Sequence, residues 1–228
     1  MASDTKSKSG RAPKQNSKER ASVPANAADN AYREQLRQDL LPIAIRIIEQ
    51  DGLSALQARR VAAAAQCSVG SVYNVFGDLD GLIVAANVAT VHLLGAELLQ
   101  SFNQSQGQAV GERLLALAMS YKTFALKNLN RWKAIFEHRL SEGREVPAEY
   151  RADQARLLGL IEKIIADQVT DAETRLYAGR ALFSGVHGII ALGVDHKLAT
   201  YDPVALRKEI EFIVDAVARG LGAGQSNT

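Results

Sequence analysis

The sequence has a single cysteine and lacks the features of an exported or membrane-spanning protein. Cys67 alone cannot build an intrachain disulfide framework, and its isolation is typical of a protein kept in a reducing compartment. No uninterrupted apolar run of about 18 residues is present, which argues against a membrane span. The N-terminus has no apolar stretch of the kind a secretory signal needs. We therefore expect a cytoplasmic protein without disulfides.

Aromatic residues are also scarce, at 6% of the chain, although 47% of the residues are hydrophobic. Alanine and leucine supply much of that fraction, and no run alternates Val, Ile, Thr or aromatic residues with polar ones as a strand would. A chain of 228 residues can nevertheless bury a substantial core. The composition therefore predicts an all-α protein.

Apolar residues at helical spacing predict a first helix from Tyr32 to a stop at Asp51-Gly52. Pro42 lies inside this run, so the helix is either kinked there or begins anew near Leu41. Asp78 or Asp80 is expected to cap the fourth helix. Eight further helices, for about nine in all, are expected near residues 58–65, 69–75, 78–102, 109–128, 131–140, 148–168, 172–196 and 203–220.

These helices suggest four segments along the chain. Residues 1–29 are rich in Ser, Lys, Ala, Asn and Pro, and we expect a disordered basic tail there. Residues 30–82 form a compact three-helix head, residues 83–222 a larger helical body, and residues 223–228 a frayed end. The net charge is +3 over residues 1–31 but −1 over residues 32–83, so the basic excess lies in the tail.

Residues 59–76, RRVAAAAQCSVGSVYNVF, have the construction of a helix-turn-helix. Val61, Ala62 and Val72 are small or branched apolar residues where two short helices would cross, and Phe76 closes the set. In such a unit the second helix lies in the major groove of DNA. The alternative from spacing alone is an ordinary pair of small-residue helices.

The expected outer face of this unit carries hydroxyl, amide and guanidinium groups, which contact phosphates and base edges. Ser68 also suits the N-cap of the second helix. The candidate DNA-binding residues are Arg59, Arg60, Ser68, Val69, Ser71, Tyr73 and Asn74.

The stretch Ile43–Leu82 resembles the DNA-binding head of the tetracycline-repressor (TetR) family. The matching positions are Gly52, Val61, Ala62, Ser68, Gly70, Tyr73, Phe76 and Leu82. The resemblance implies a homodimeric transcriptional regulator, a repressor by preference, that binds palindromic double-stranded operator DNA and is released by a small-molecule effector. An activator, or a helical scaffold whose head no longer binds DNA, is the alternative.

A second, weaker resemblance lies in the body. Spaced positions there look like the WHG-type C-terminal domain of some TetR-family members. They are Trp132, Phe136, Glu137, His138, Arg139, Phe183, His187 and Gly188.

Three positions depart from the family pattern. Gln66 stands where glycine is usual in a turn that often needs a left-handed backbone, Leu79 replaces a phosphate-binding lysine, and Gln57 replaces a capping Thr or Ser. The last two weaken the expected attraction of the head to DNA. We hypothesise that the basic tail compensates by contacting phosphates or a minor groove; a solubilising leader is the other interpretation.

The body is expected to hold the effector and the dimer interface. Pocket candidates are Phe102, Met119, Tyr121, Phe124, Trp132, Phe136, His138, Arg139, Phe183 and His187, with core packing as the alternative for each. Their few polar groups favour a largely apolar effector. Interface candidates are Leu176, Phe183, Ile190, Val194, Ile210, Ile213, Val214 and Val217, with an intramolecular core stripe as the alternative.

The sequence gives little support to an enzyme. His92, His138, His187 and His196 are widely spaced, and there is no HExxH motif, cysteine pair or glycine-rich phosphate loop. We expect no catalytic residues, no metal and no cofactor.

Overall fold

A computed structural model describes residues 25–194 and 202–223, and within these ranges the chain forms nine α-helices and no strand. The helices are α1 (Ala25–Asp51), α2 (Ala58–Ala64), α3 (Val69–Phe76), α4 (Leu79–Gln104), α5 (Val110–Lys127), α6 (Leu129–Glu137), α7 (Ala148–Ile165), α8 (Ala172–Val194) and α9 (Pro203–Ala223). A 3-10 turn, Leu53–Ala55, follows α1. The all-α prediction is confirmed. The predicted tail up to residue 24, His196 and the last five residues lie outside the described ranges.

The first helix is longer than the sequence predicted. It begins at Ala25, so residues 25–29, assigned above to the tail, form its first turns. Three of these five residues are alanine, which has the highest helix propensity. Pro42 lies within the continuous helix, so the alternative of a new start near Leu41 is wrong.

Two apolar clusters organise the described residues. The first joins α1, α2, α3 and the start of α4, with Leu40, Val61, Val72 and Leu82 fully buried. The second joins the rest of α4 with α5, α7, α8 and α9 around buried residues such as Phe124. The first cluster continues along α4 beyond residue 82, so α4 belongs to both head and body.

Helix α6 lies between the two clusters. Ala134, on α6, is fully buried in the head cluster, whereas Trp132, two residues earlier, is buried in the body cluster. Such residues point about 160° to 200° apart on an α-helix, which places them on nearly opposite faces. A single short helix therefore contacts the head on one side and the body on the other.

Two helices, α4 and α8, are long and apolar enough to cross a membrane by length and composition alone. Half of the apolar window in α4 is buried inside the fold, as expected for a core helix. The corresponding window in α8 is only 22% buried, so α8 leaves much apolar surface uncovered.

Candidate nucleic-acid interface and ligand cavity

The turn between α2 and α3 is a Schellman motif centred on Gln66. The amide of Cys67 donates to the carbonyl of Ala62 at 2.9 Å, and the amide of Gln66 donates to that of Ala63 at 3.3 Å. Gln66 has φ 54° and is the one non-glycine residue with positive φ in the described ranges. The left-handed backbone expected at this position is therefore present, although a glutamine occupies it.

Helix α3 starts immediately after this turn and is capped by Ser68. The Ser68 hydroxyl accepts from the amide of Ser71 at 3.0 Å and lies 2.9 Å from the Ser71 hydroxyl. Val72 and Phe76 bury one side of the helix against the head. The N-cap expected at Ser68 is thus formed, and α3 is fixed by its turn, its cap and its apolar side.

The opposite side of α3 is open to solvent. Val69 and Tyr73 are 38% and 43% exposed, and Ser68 and Asn74 are also exposed. Ser71 is half-buried. The five candidates on this helix therefore form one continuous surface, which we call the α3 face. An exposed tyrosine beside an exposed valine on a capped helix is the kind of surface that can enter a DNA groove.

The two arginines predicted to assist α3 are engaged elsewhere in the head. Arg60 forms an ion pair with Asp51, at the end of α1. The Arg59 guanidinium donates to the side chain of Gln57 at 2.7 Å. Gln57 occupies the N-cap position of α2 without capping it, as its replacement of Thr or Ser predicted. Both arginines are exposed, so they can exchange these partners for phosphates.

Two other arginines, which the sequence analysis missed, lie against α3. Arg33 on α1 donates to the carbonyl of Asn74 at 2.9 Å, and the Arg37 guanidinium sits 5.1 Å from the ring centre of Phe76. The two arginines are four residues apart and therefore lie on one side of α1, and this spacing could have identified them in the sequence. They place positive charge at the C-terminal end of α3, where it also suits the helix dipole.

A short segment after α6 binds the beginning of α4. Asp80 accepts from His138 at 3.0 Å and from the Ser141 hydroxyl at 2.6 Å, and Asp78 makes a two-point ion pair with Arg144. Asp78 is the residue that caps α4, at 2.8 Å from the amide of Gly81. The hydrogen bonds from Ser141 and then His138 lower the pKa of Asp80 to about 2. We call this set of contacts the α4 clamp.

The body contains a cavity of about 290 Å³ between α4, α5, α6, α7 and α8. Three predicted pocket residues line it: Tyr121, Phe136 and Phe183. Most of the other walls are leucine, isoleucine and valine, and Gln154 on α7 is the one amide. Aliphatic residues on helices give the same pattern in a core as in a cavity wall, so the sequence could not find them.

The remaining pocket candidates do not line this cavity. Phe124 is completely buried in the core, Phe102 packs under the Arg113 guanidinium, and His138 belongs to the α4 clamp. Arg139 is exposed. Met119, Trp132 and His187 also do not line the cavity.

Trp132 and His187 instead form a polar network behind the cavity wall. The Tyr121 hydroxyl accepts from the Trp132 indole at 2.9 Å and bonds to Nδ1 of His187 at 2.9 Å. The His187 ring centre lies 4.2 Å from that of Phe136 and 5.6 Å from that of Phe183. Burial lowers the pKa of His187, so its imidazole is neutral near pH 7.

The predicted dimer surface is partly wrong. Ile190, Ile210 and Val214 are at most 2% exposed and pack inside the body, so these three cannot form an outer face. Phe183 is half-buried and lines the cavity. Leu176, Val194, Ile213 and Val217 are half-buried. The exposed apolar residues on α8 and α9, which the sequence analysis missed, are Tyr177, Leu192, Val204 and Phe212.

The described residues hold no group of three or more His, Cys, Asp or Glu side chains suited to a metal ion. His92, one of the four histidines considered above, pairs with Asp153 at 2.9 Å.

Residues 114–217 match the family model of the tetracycline repressor-like C-terminal domain, a segment that includes Trp132 and His187-Gly188. No curated protein matches the chain by sequence. The matched segment runs from α5 to α9 and therefore includes most of the second apolar cluster.

Solved structures resemble the chain over most of its length. A protein of unknown function from Rhodococcus sp. RHA1 has a TM-score of 0.68 and 22% identity, covering 82% of this chain and 95% of its own. SCO4454, a TetR-family transcriptional regulator from Streptomyces coelicolor, has a TM-score of 0.61 and 20% identity over 89% and 98%. EbrR, a multidrug binding protein complexed with imidazole, has a TM-score of 0.56 and 22% identity over 78% and 89%. The matched domain and these structures together show that residues 114–217 resemble the tetracycline repressor-like C-terminal domain and that the chain shares the fold of these proteins.

Proposed function

We propose that this chain is a homodimeric transcriptional regulator, a repressor by preference, that reads a palindromic operator with α3 and releases it when a small molecule binds in the body. The observation that carries the proposal is the α3 face. It is held by the Gln66 turn and the Ser68 cap, yet exposes Val69 and Tyr73 to solvent. An apolar residue left exposed on a firmly fixed helix suits contact with a thymine methyl.

Dimerisation is supported by the uncovered apolar surface of α8 and α9. Phe212 is 71% exposed and Leu192 41% exposed, and a second copy of the same surface would cover both. A two-fold dimer presents two α3 faces, as a palindromic operator requires.

Effector release is supported by the position of α6. On its head side, Asn130 donates to the carbonyl of Glu49 at 2.9 Å, and the carbonyl of Ala134 accepts from Asn87 at 3.1 Å. On its body side, Ile135 and Phe136 line the cavity. A ligand that prefers one position of α6 would therefore shift the head by its differential affinity for the two states.

The test is operator binding by a Tyr73→Ala variant, measured by fluorescence anisotropy with DNA flanking the chain's own gene. We expect a loss of about 1–3 kcal/mol, or roughly five- to 150-fold, because Tyr73 is the largest exposed side chain on α3. Leu126→Ala, which truncates an exposed leucine on α5, is the control and should bind as the parent does. Unchanged affinity in the Tyr73 variant would remove α3 from the interface.

One observation favours the second candidate, a helical scaffold without DNA affinity. Arg59 and Arg60 already have partners within the head, and the head carries a net charge of −1 over residues 32–83. If the parent protein forms a folded dimer but no discrete, salt-sensitive complex with the flanking DNA, the scaffold is the correct reading.

A further inference from the structure

We propose that the body cavity selects a small, uncharged, mostly apolar molecule whose polar group is bound by the amide of Gln154. The inference rests on the proposed function, because it gives a ligand class to the cavity in which we place the effector. It also assigns a specificity-determining residue on α7.

The walls of the cavity argue against a charged ligand. Of the sixteen side chains that line it, fourteen are apolar and none carries a charge. A carboxylate or an ammonium group would lose its hydration on entry and would find no counter-charge. Uncharged ligands avoid that cost and gain from the apolar surface they cover.

Tyr121, one of the two polar side chains in the walls, already has hydrogen-bond partners within the protein. Its hydroxyl accepts from the Trp132 indole, which can only donate, and also bonds to His187. His187 supplies no charge behind this wall, since burial lowers its pKa and keeps the imidazole neutral near pH 7.

Gln154 is the other polar side chain in the walls, and the hydroxyl of Tyr150 lies beside it on α7. Burial raises the pKa of Tyr150, one turn earlier on α7, to about 12. The nearby Gln154 amide partly offsets this rise. The Tyr150 hydroxyl nevertheless lacks a hydrogen bond of normal geometry. The Gln154 amide can therefore donate to, and accept from, a ligand in the cavity.

The size of the cavity limits the ligand further. Its volume of about 290 Å³ is just below the usual range for small-molecule sites, roughly 300–1,000 Å³. A compact molecule with one polar end fits this space and the single available amide.

The first experiment compares two dyes with the same skeleton on the full-length protein. N-phenylnaphthylamine is neutral, whereas anilinonaphthalene sulfonate carries one negative charge. We expect the neutral dye to bind at least about tenfold more tightly, because the sulfonate has no partner in the cavity. Quenching of Trp132, the sole tryptophan, reports binding beside the cavity wall.

A competition experiment then varies the charge of the ligand while its chain length stays the same. Octanol, octanoate and octylammonium are added to the protein with bound N-phenylnaphthylamine, and only octanol should displace the dye. Ala118→Leu reduces the volume of the cavity and should lower the affinity for the dye. Ala155→Leu, on the exposed side of α7, should leave that affinity unchanged.

Gln154→Glu is the directional test, because it replaces the amide by a carboxylate of nearly the same shape. The affinity for the neutral dye should fall at least about tenfold, and octylammonium should become the best competitor. A structural defect would weaken every compound alike and would not reverse their order. The helical circular dichroism signal of each variant should match the parent.

Three results would overturn the inference: octanoate or octylammonium displacing the dye from the parent as well as octanol does, an unchanged order in Gln154→Glu, or no binding of either dye. None of these measurements uses DNA. If the neutral dye binds as expected but octanol never releases the operator complex, the ligand class stands and the effector role in the proposed function fails.

Discussion

Gln66 adopts a left-handed backbone conformation that residues with a Cβ disfavour. An L-residue with a Cβ costs on the order of 1 kcal/mol in the left-handed conformation that Gln66 adopts at φ 54°. Glycine removes this cost. It also makes the unfolded chain more flexible, which destabilises the folded state by about 0.4–1 kcal/mol. We therefore expect Gln66→Gly to be neutral or to raise the melting temperature slightly, by up to about 4 °C.

Ala63→Gly provides the matched control for that variant. Ala63 is exposed in the right-handed part of α2, three residues before the turn, so glycine there should lower stability by about 1 kcal/mol. A drop in melting temperature for Gln66→Gly as large as that of the control would show that the turn does not carry the expected strain.

The α4 clamp joins an element of the head to the segment after α6. Its central group is Asp80, whose folded pKa of about 2 lies below the ordinary value of 3.8. A lowered pKa means that the charged form is favoured in the folded state. The contribution of Asp80 to stability is therefore complete above about pH 4 and is lost as the pH falls through 2.

We expect Asp80→Asn to lower the melting temperature at neutral pH, because Ser141 and His138 lose a charged acceptor. The difference from the parent should shrink as the pH falls from 4 towards 2, where the Asp80 carboxylate is itself protonated. Asp29→Asn, which removes an exposed carboxylate from α1, is the control and should change little. A difference that stays constant down to pH 2 would contradict the assigned pKa.

The elements were easier to predict from the sequence than the contacts between them. Helical spacing, Ser68 and Asp78 are local signals, and the structure has the helices and both caps that they predicted. The α4 clamp joins residues about 60 positions apart, such as Asp80 and His138, and no local pattern encodes that pairing. The same limit explains why Ile190 was assigned to an outer face: hydrophobicity alone does not tell which cluster a side chain joins.

At the scale of the whole molecule, the head offers little net positive charge for the DNA contact that we propose. Its charge is −1 over residues 32–83, and its arginines are shared with Asp51, Gln57 and Asn74. Two heads held at a fixed distance can compensate, because the second contact becomes intramolecular and raises affinity by roughly 10²–10⁴. Operator affinity should therefore depend on the outer face of α8 and α9 as strongly as on α3.

We expect Phe212→Asp to dissociate the proposed dimer, because it places a charge on the most exposed large apolar side chain of the described residues. Sedimentation equilibrium should give the monomer mass, and operator affinity should fall at least about a hundredfold. Leu99→Asp, a charge on an exposed leucine of α4, is the control and should remain dimeric. A Phe212 variant that binds the operator normally as a monomer would contradict the link between assembly and DNA binding. A variant that stays dimeric would instead move the interface away from Phe212.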